Sequence, residues 1–226
     1  MKVTWLGQAG LLLQKDDFTI MIDPYLSDSV ERVNPQNYRR HPVDETFFDI
    51  KPDVLLFTHN HRDHYDPETV ARLLAPHSNI TVLAPFSVWR EVNKFGEGNN
   101  YVMFNRHTTW TQGNIEFAAV KAEHSDLNAI GVIIDDGTRK FYITGDTLFN
   151  EEIFADVPKD IFAIFLPVNG QGNNMNMTDA NRFCEKINPK VAVPVHCGMF
   201  DSIDMNLFAY KNKVVPEIYK EVGLPE

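Results

Sequence analysis

A chain of 226 residues, 43% of them hydrophobic, is long enough to bury one well-packed core, and it holds no apolar run near the ~20 residues that a membrane span needs. Its 21 basic against 31 acidic residues give a formal charge of −10, which excludes broad electrostatic attraction to nucleic acid. The N-terminal segment has no signal-peptide pattern and two cysteines occur, Cys184 and Cys197, so the expected compartment is the cytoplasm, with both thiols reduced and buried.

In chain order, Val3 to Leu6, Leu11 to Leu13 and Phe18 to Ile22 read as three short strands of an antiparallel meander. Asp23-Pro24 then reads first as a turn, with support of a metal-bound imidazole as the alternative role of Asp23. Residues 26–45 are polar and irregular, the pattern of a long loop beside a functional site. Within it Arg39-Arg40-His41 is the densest basic cluster and reads as solvated, with a phosphate contact as the alternative. Asp53 to Phe57 suits a strand buried on both faces. Asp66 is placed to cap a helix with Pro67 at its first position and with Val70, Leu73 and Leu74 facing inward.

Ile80 to Leu83 gives the next strand and Phe86 to Phe95 the next helix, so the elements alternate as in layered α/β proteins. Tyr101 to Lys121 reads as further β structure. Ile130 to Ile134 and Lys140 to Thr144 form a hairpin around Asp135-Asp136-Gly137-Thr138. An apolar strand from Ile161 to Leu166 leads to a helix capped by Thr178, which buries Met177, Ala180, Phe183, Cys184 and Ile187. Val191 to Val195 is the last strand. A helical region over Leu207 to Val222, interrupted at Pro216, closes a single domain of residues 1–226.

The chemistry concentrates in Thr58-His59-Asn60-His61-Arg62-Asp63-His64. His59 and His61 are two apart and face one side of an extended chain, whereas adding Asp63 and His64 fits no single helix face, so a loop is implied. Four ligand groups exceed the three that a catalytic zinc takes from protein, and two adjacent metals fit better than one. A polar loop can gather histidines without function, but here three of the chain's 8 fall at one strand end. Three more strand ends deliver His124, Asp146 and His196. His41, His77 and His107 lie in loop-like or proline-flanked contexts and read as surface residues.

This ordered set resembles the metallo-β-lactamase-fold hydrolases, with their His-x-His-x-Asp-His motif followed by a lone His, a bridging Asp and a final His. The segments Trp5 to Gly10, Ile22 to Ser29, Thr58 to His61, Pro167 to Gly170 and Val195 to Phe200 further resemble the subgroup containing L-ascorbate-6-phosphate lactonase, although this chain is shorter. The resemblance implies a four-layer αββα sandwich with the metals at one edge. It also implies that His59, His61 and His124 hold one divalent ion, that Asp63, His64 and His196 hold a second, and that Asp146 bridges them. Zinc suits the imidazoles, manganese is associated with the subgroup, and iron tolerates the same donors.

Two metals would acidify a shared water, whose hydroxide attacks a lactone or ester carbonyl, with Asp63 and Asp146 as the catalytic carboxylates. Asn169, Gln171 and Gln8 are the candidate substrate contacts. The implied activity is a metal-dependent hydrolase opening a lactone or ester of a small sugar acid, with or without phosphate. A dinuclear phosphodiesterase and an inactive metal-binding module are the alternatives. The expected partner is a small-molecule substrate, with no nucleic acid, no membrane and room for a homo-oligomer.

Overall fold

The computed structural model describes residues 1–225 and contains two six-stranded sheets packed face to face. The first runs in sequence order: β1 (Lys2–Gly7), β2 (Gly10–Lys15), β3 (Phe18–Ile22), β4 (Val54–Leu56), β5 (Thr81–Ala84) and β6 (Asn100–Met103). Its first three strands are the antiparallel meander and the rest pair parallel. The second has the order β12 (Val191–Val195), β11 (Ile161–Pro167), β10 (Lys140–Ile143), β9 (Ile130–Asp135), β8 (Ile115–Lys121) and β7 (Thr109–Gln112). Here β10, β11 and β12 are parallel, while β7 to β10 alternate.

The four layers follow from side-chain alternation along these strands. On β3 and β4, Ile20, Ile22, Val54 and Leu56 enter the core between the sheets, against Phe117, Val132, Phe141 and Phe165. Met21 and Leu55 point the other way, onto Val70, Leu73 and Leu74 of α2 (Pro67–Leu74) and Val88 and Val92 of α3 (Phe86–Val92). On the outer face of the second sheet, Tyr142, Ile164 and Leu166 meet Ala180, Phe183, Cys184 and Ile187 of α4 (Met177–Ile187). The fold is thus an αββα sandwich of the β-lactamase type, as the sequence implied. Both cysteines are free and buried, and no helix among the described residues is long and apolar enough to cross a membrane.

Several local expectations are corrected. The 26–45 segment holds a short helix, α1 (Ser29–Val33), and leads into a 3-10 turn at Glu45–Asp49. The helix from Phe86 stops at Val92, three residues early. Asn176, not Thr178, caps α4 by accepting the Asp179 N–H, so the helix begins two residues earlier than a Thr178 cap requires. The expected C-terminal helix does not form. Beyond a 3-10 turn at Met205–Leu207 the chain runs irregularly, with Val214 N–H bonded to Ala192 O on β12 and Val222 N–H bonded to Val3 O on β1. Those two strands are the exposed edges of the two sheets, and pairing their free backbone groups wins over local helix preference.

The α2 cap also ties the helix to the site. Buried Asp66 accepts the N–H groups of Glu68 and Thr69 and the Thr69 hydroxyl, and that hydroxyl in turn accepts the Leu26 N–H at 2.9 Å, just beyond Asp23. Asp66→Ala should lower unfolding stability by about 2 kcal/mol, from the lost cap plus a buried hydroxyl left short of a partner. Denaturant titration checks this, and an unchanged midpoint would show that the cap does not anchor the loop.

Candidate metal centre

Every element that supplies the site ends at the same rim of the sandwich, because β1, β3 and β4 run one way in their sheet and β8, β10, β11 and β12 share one direction in theirs. β1 delivers Gln8, β3 Asp23, β4 the His59–His64 loop, β8 His124, β10 Asp146, β11 Asn169 and β12 His196. Ligand sites at the carboxyl ends of strands are a general habit of α/β sheets.

The predicted ligands converge in two groups. Donor atoms of His59, His61, His124 and Asp146 lie within 4.8 Å of one another, as do those of Asp63, His64 and His196. The groups touch through Asp146, whose Oδ1 is 3.2 Å from His64 Nε2 and whose Oδ2 is 3.2 Å from His196 Nε2. His196 Nε2 is also 3.2 Å from Asp63 Oδ2. The His59 ring stands 4.3 Å from that of His124 and 4.0 Å from that of His64, centroid to centroid.

Hydrogen bonds around the cluster fix which imidazole nitrogen faces inward. Thr58 gives its one hydroxyl hydrogen to Asp23 Oδ2 at 2.5 Å, so at 3.0 Å it can only accept from His59 Nδ1–H, which leaves the lone pair on His59 Nε2. His64 Nδ1 likewise donates to Asp23 Oδ2 at 2.8 Å and turns Nε2 inward. The Asp126 N–H on His124 Nδ1, 3.0 Å away, orients the third ring. Three of these inward atoms, His59 Nε2, His124 Nε2 and Asp146 Oδ1, are buried without a hydrogen-bond partner. Buried polar atoms are almost always satisfied, and the His59 lone pair, the His124 nitrogen and a carboxylate oxygen gathered together suit a divalent cation.

The electrostatics divide the four imidazoles into two pairs. Burial pushes His59 well below its ordinary pKa, and the neighbouring His64 adds to this. Burial likewise takes His124 down to about 4, so both rings are neutral. Burial alone would also lower His64 and His196, but the Asp146 carboxylate, with Asp23 and Asp63 beside His64 and with Asp63 beside His196, reverses the sign and holds both above it, His196 at about 9. Asp63 and Asp146 stay ionised, since His64 and His196 outweigh the cost of burying their charge. Three carboxylates therefore act together to hold positive charge at the centre.

The remaining candidates divide. Gln8 is buried, with Nε2 2.8 Å from Asp63 Oδ2 and 3.1 Å from His196 Nε2. Asn169 Nδ2 is 3.0 Å from His196 Nδ1. Gln171 stands exposed, with its backbone N–H on Asn169 Oδ1 and its carbonyl accepting the Asn174 N–H. His41 and His107 are exposed and His77 lies by Phe48, all away from the cluster. Two first readings are reversed. Asp23 is more than a turn residue, because it carries His64 and Thr58, and Arg39 is not solvated. Its guanidinium is buried on the Tyr25 ring at 5.0 Å and donates to Tyr25 O and the Tyr219 hydroxyl. Sequence reasoning missed Asn174, whose Nδ2 donates to Asp146 Oδ2 at 3.0 Å, and Thr58 and Asp126 as supports. Asp126 sits two residues after His124, a spacing that could have drawn notice, whereas Asn174 gives no local signal.

With this geometry in place, comparison with known proteins is informative. Residues 19–197 match the beta-lactamase superfamily domain. A UPF0173 metal-dependent hydrolase of Ligilactobacillus salivarius is 30% identical over 97% of this chain and 95% of its own length. Another, of Thermoplasma acidophilum, is 28% identical over 99% of both. The chain belongs to the UPF0173 metal-dependent hydrolases of the metallo-β-lactamase superfamily. A solved metallo hydrolase from Ignicoccus hospitalis superposes with a TM-score of 0.77 over 98% of this chain and 97% of its own, at 22% identity, a likeness of fold.

Two substitutions test the scaffold. Asp23→Ala frees His64 and Thr58 while leaving all seven candidate ligands in place, and it should weaken metal affinity by about 10–100-fold, read by competition with a chromophoric chelator. Gly145 has φ +60°, and a Cβ there would meet Ile130 O and Thr58 Cβ at 2.9 Å. Gly145→Ala should therefore cost about 1–3 kcal/mol of stability and displace Asp146; a thermal melt and metal content decide both.

Proposed function

We propose that His59, His61 and His124 with Asp146, and Asp63, His64 and His196 with the same Asp146, hold two divalent cations, and that the protein hydrolyses a lactone or ester of a small acid. The observation that carries this is the trio of buried, partnerless donor atoms on His59, His124 and Asp146. Zinc, manganese and iron are all compatible with a mixed imidazole and carboxylate set. The chemistry such a pair supplies when bound is polarisation of a carbonyl oxygen and acidification of water.

The chain's own residues do the rest. Asp146 lies between the two groups and is fixed by the Asn174 amide on Oδ2. Gln8 and His196 hold Asp63 Oδ2, and Asp63 Oδ1 makes no hydrogen bond among the described residues, so that oxygen is free to take a proton from an attacking water. Asn169, with its amide nitrogen on His196, orients that ring at the mouth. The sugar-acid lactone form of this reading takes its support from the sequence segments shared with the L-ascorbate-6-phosphate lactonase subgroup.

Two experiments test the proposal. Removing metal by chelation should lower the melting temperature, by roughly 5–15 °C if the ion stabilises by about 3–4 kcal/mol, since ligands gathered from distant loops form no site in the unfolded chain. Asp146→Asn keeps the shape and removes the charge between the two groups, so elemental analysis should find one ion lost and hydrolysis of lactones and esters should fall at least ~100-fold. Full metal content with wild-type turnover would reject Asp146 as the bridge, and preference for phosphodiesters across a substrate panel would replace the carbonyl reading with the phosphodiesterase one.

A further inference from the structure

Seven large apolar side chains stand exposed among the described residues, and two of them, Leu127 and Phe86, line a cavity beside the centre. Leu127 is 94% exposed, three residues beyond His124, and Phe86, 45% exposed, opens α3 at the end of β5. Both line a cavity of about 490 Å³ that shares His124 with the candidate metal centre and has Ala122 and Ala129 among its other walls. Leu148, 41% exposed, follows Asp146 and donates its N–H to Glu123 O on the cavity wall.

The charges around this cavity are already committed. Arg106 makes two bonds to Asp156, at 2.6 and 3.0 Å, and Lys121 is paired with Glu152 and Glu123. Asp126 accepts from Ser87, Asn60 and Asn128. No cation lining the cavity is left over for a phosphate or carboxylate. Scattered apolar residues on a surface need no explanation, but two in the wall of a concave site that reaches the reactive centre mark a ligand surface.

We infer that this cavity binds the uncharged, apolar substituent of the substrate, so that the protein acts on neutral alkyl- or aryl-substituted lactones or esters and not on phosphorylated ones. The inference deepens the hydrolase reading and rests on it for the reaction, but the binding surface can be probed without turnover. γ-Lactams with substituents from ethyl to hexyl, which keep the ring and resist hydrolysis, are titrated calorimetrically into the metal-loaded protein. Affinity should rise about fourfold per methylene, the ordinary value for burying a CH₂.

Leu127→Asp and Phe86→Ser should each remove most of that slope, whereas Leu207→Asp, 72% exposed in the 3-10 turn before the C-terminal tail, should leave it intact. The matching lactones are assayed in parallel, together with a phosphorylated sugar lactone. A flat lactam series, or a slope unchanged in both cavity variants, overturns the inference even if lactones are hydrolysed. Preference for the phosphorylated lactone overturns it as well. A lactam slope lost in the variants, with no lactone or ester turned over, supports the cavity and removes only the reaction assigned to it.

Discussion

The centre depends on one buried carboxylate. Asp23 has no exposed surface, and an ionised group in that position is costly unless every lone pair is engaged. It accepts the Thr58 N–H at 2.8 Å, the Thr58 hydroxyl and His64 Nδ1, and so joins the end of β3 to the loop that follows β4. The Thr58 hydroxyl passes the constraint on to His59 by having only a lone pair to offer its Nδ1. One carboxylate thus sets the tautomer and direction of two imidazoles in different groups, and removing it would leave both rings free to rotate.

Backbone geometry works to the same end. Gln8, Asp23 and His196 all sit in the left-handed region, at φ 49°, 43° and 62°, where residues other than glycine are uncommon. Each lies immediately after a strand of the site rim and re-aims the chain so that its side chain turns into the cluster. The strain is held by surrounding contacts. Gln8 O accepts both the His196 N–H and Trp5 Nε1, each at 2.9 Å, which locks two of the three positions to each other and to β1. Conformational cost at the site is therefore offset by packing in the core beneath it, the usual arrangement for strained functional residues.

What the sequence discloses and what it conceals divide along contact range. The strands were legible because alternating or continuous apolar runs depend on neighbours within a few residues, and the seven-residue cluster because four of its members fall within six positions of one loop. The tail was misread because its structure answers to the free edges of β1 and β12, which lie at opposite ends of the chain. Arg39 was misread for the same reason, since charge predicts solvation until Tyr25 and Tyr219 close around the guanidinium. Asn174 and Gln8 are ordinary amides in ordinary loops, and only the fold brings them to Asp146 and Asp63.

The two sides of the centre then differ in a way that bears on chemistry. At the cluster, buried donor atoms on His59, His124 and Asp146 stand without hydrogen-bond partners, while in the adjoining cavity every charged side chain has been given a partner and Phe86 and Leu127 add apolar surface. A centre that attracts cations into a rim whose lining cations are neutralised favours neutral molecules over anions there, because an anion would find no desolvated positive charge apart from the metals themselves. Selectivity of this kind comes from what is withheld as much as from what is offered. On that view the paired state of Arg106 and Lys121 belongs to recognition: a free guanidinium at the same place would draw acidic substrates toward His124, and Asp156, bonded to Arg106 Nε and to the Lys121 N–H together, prevents it.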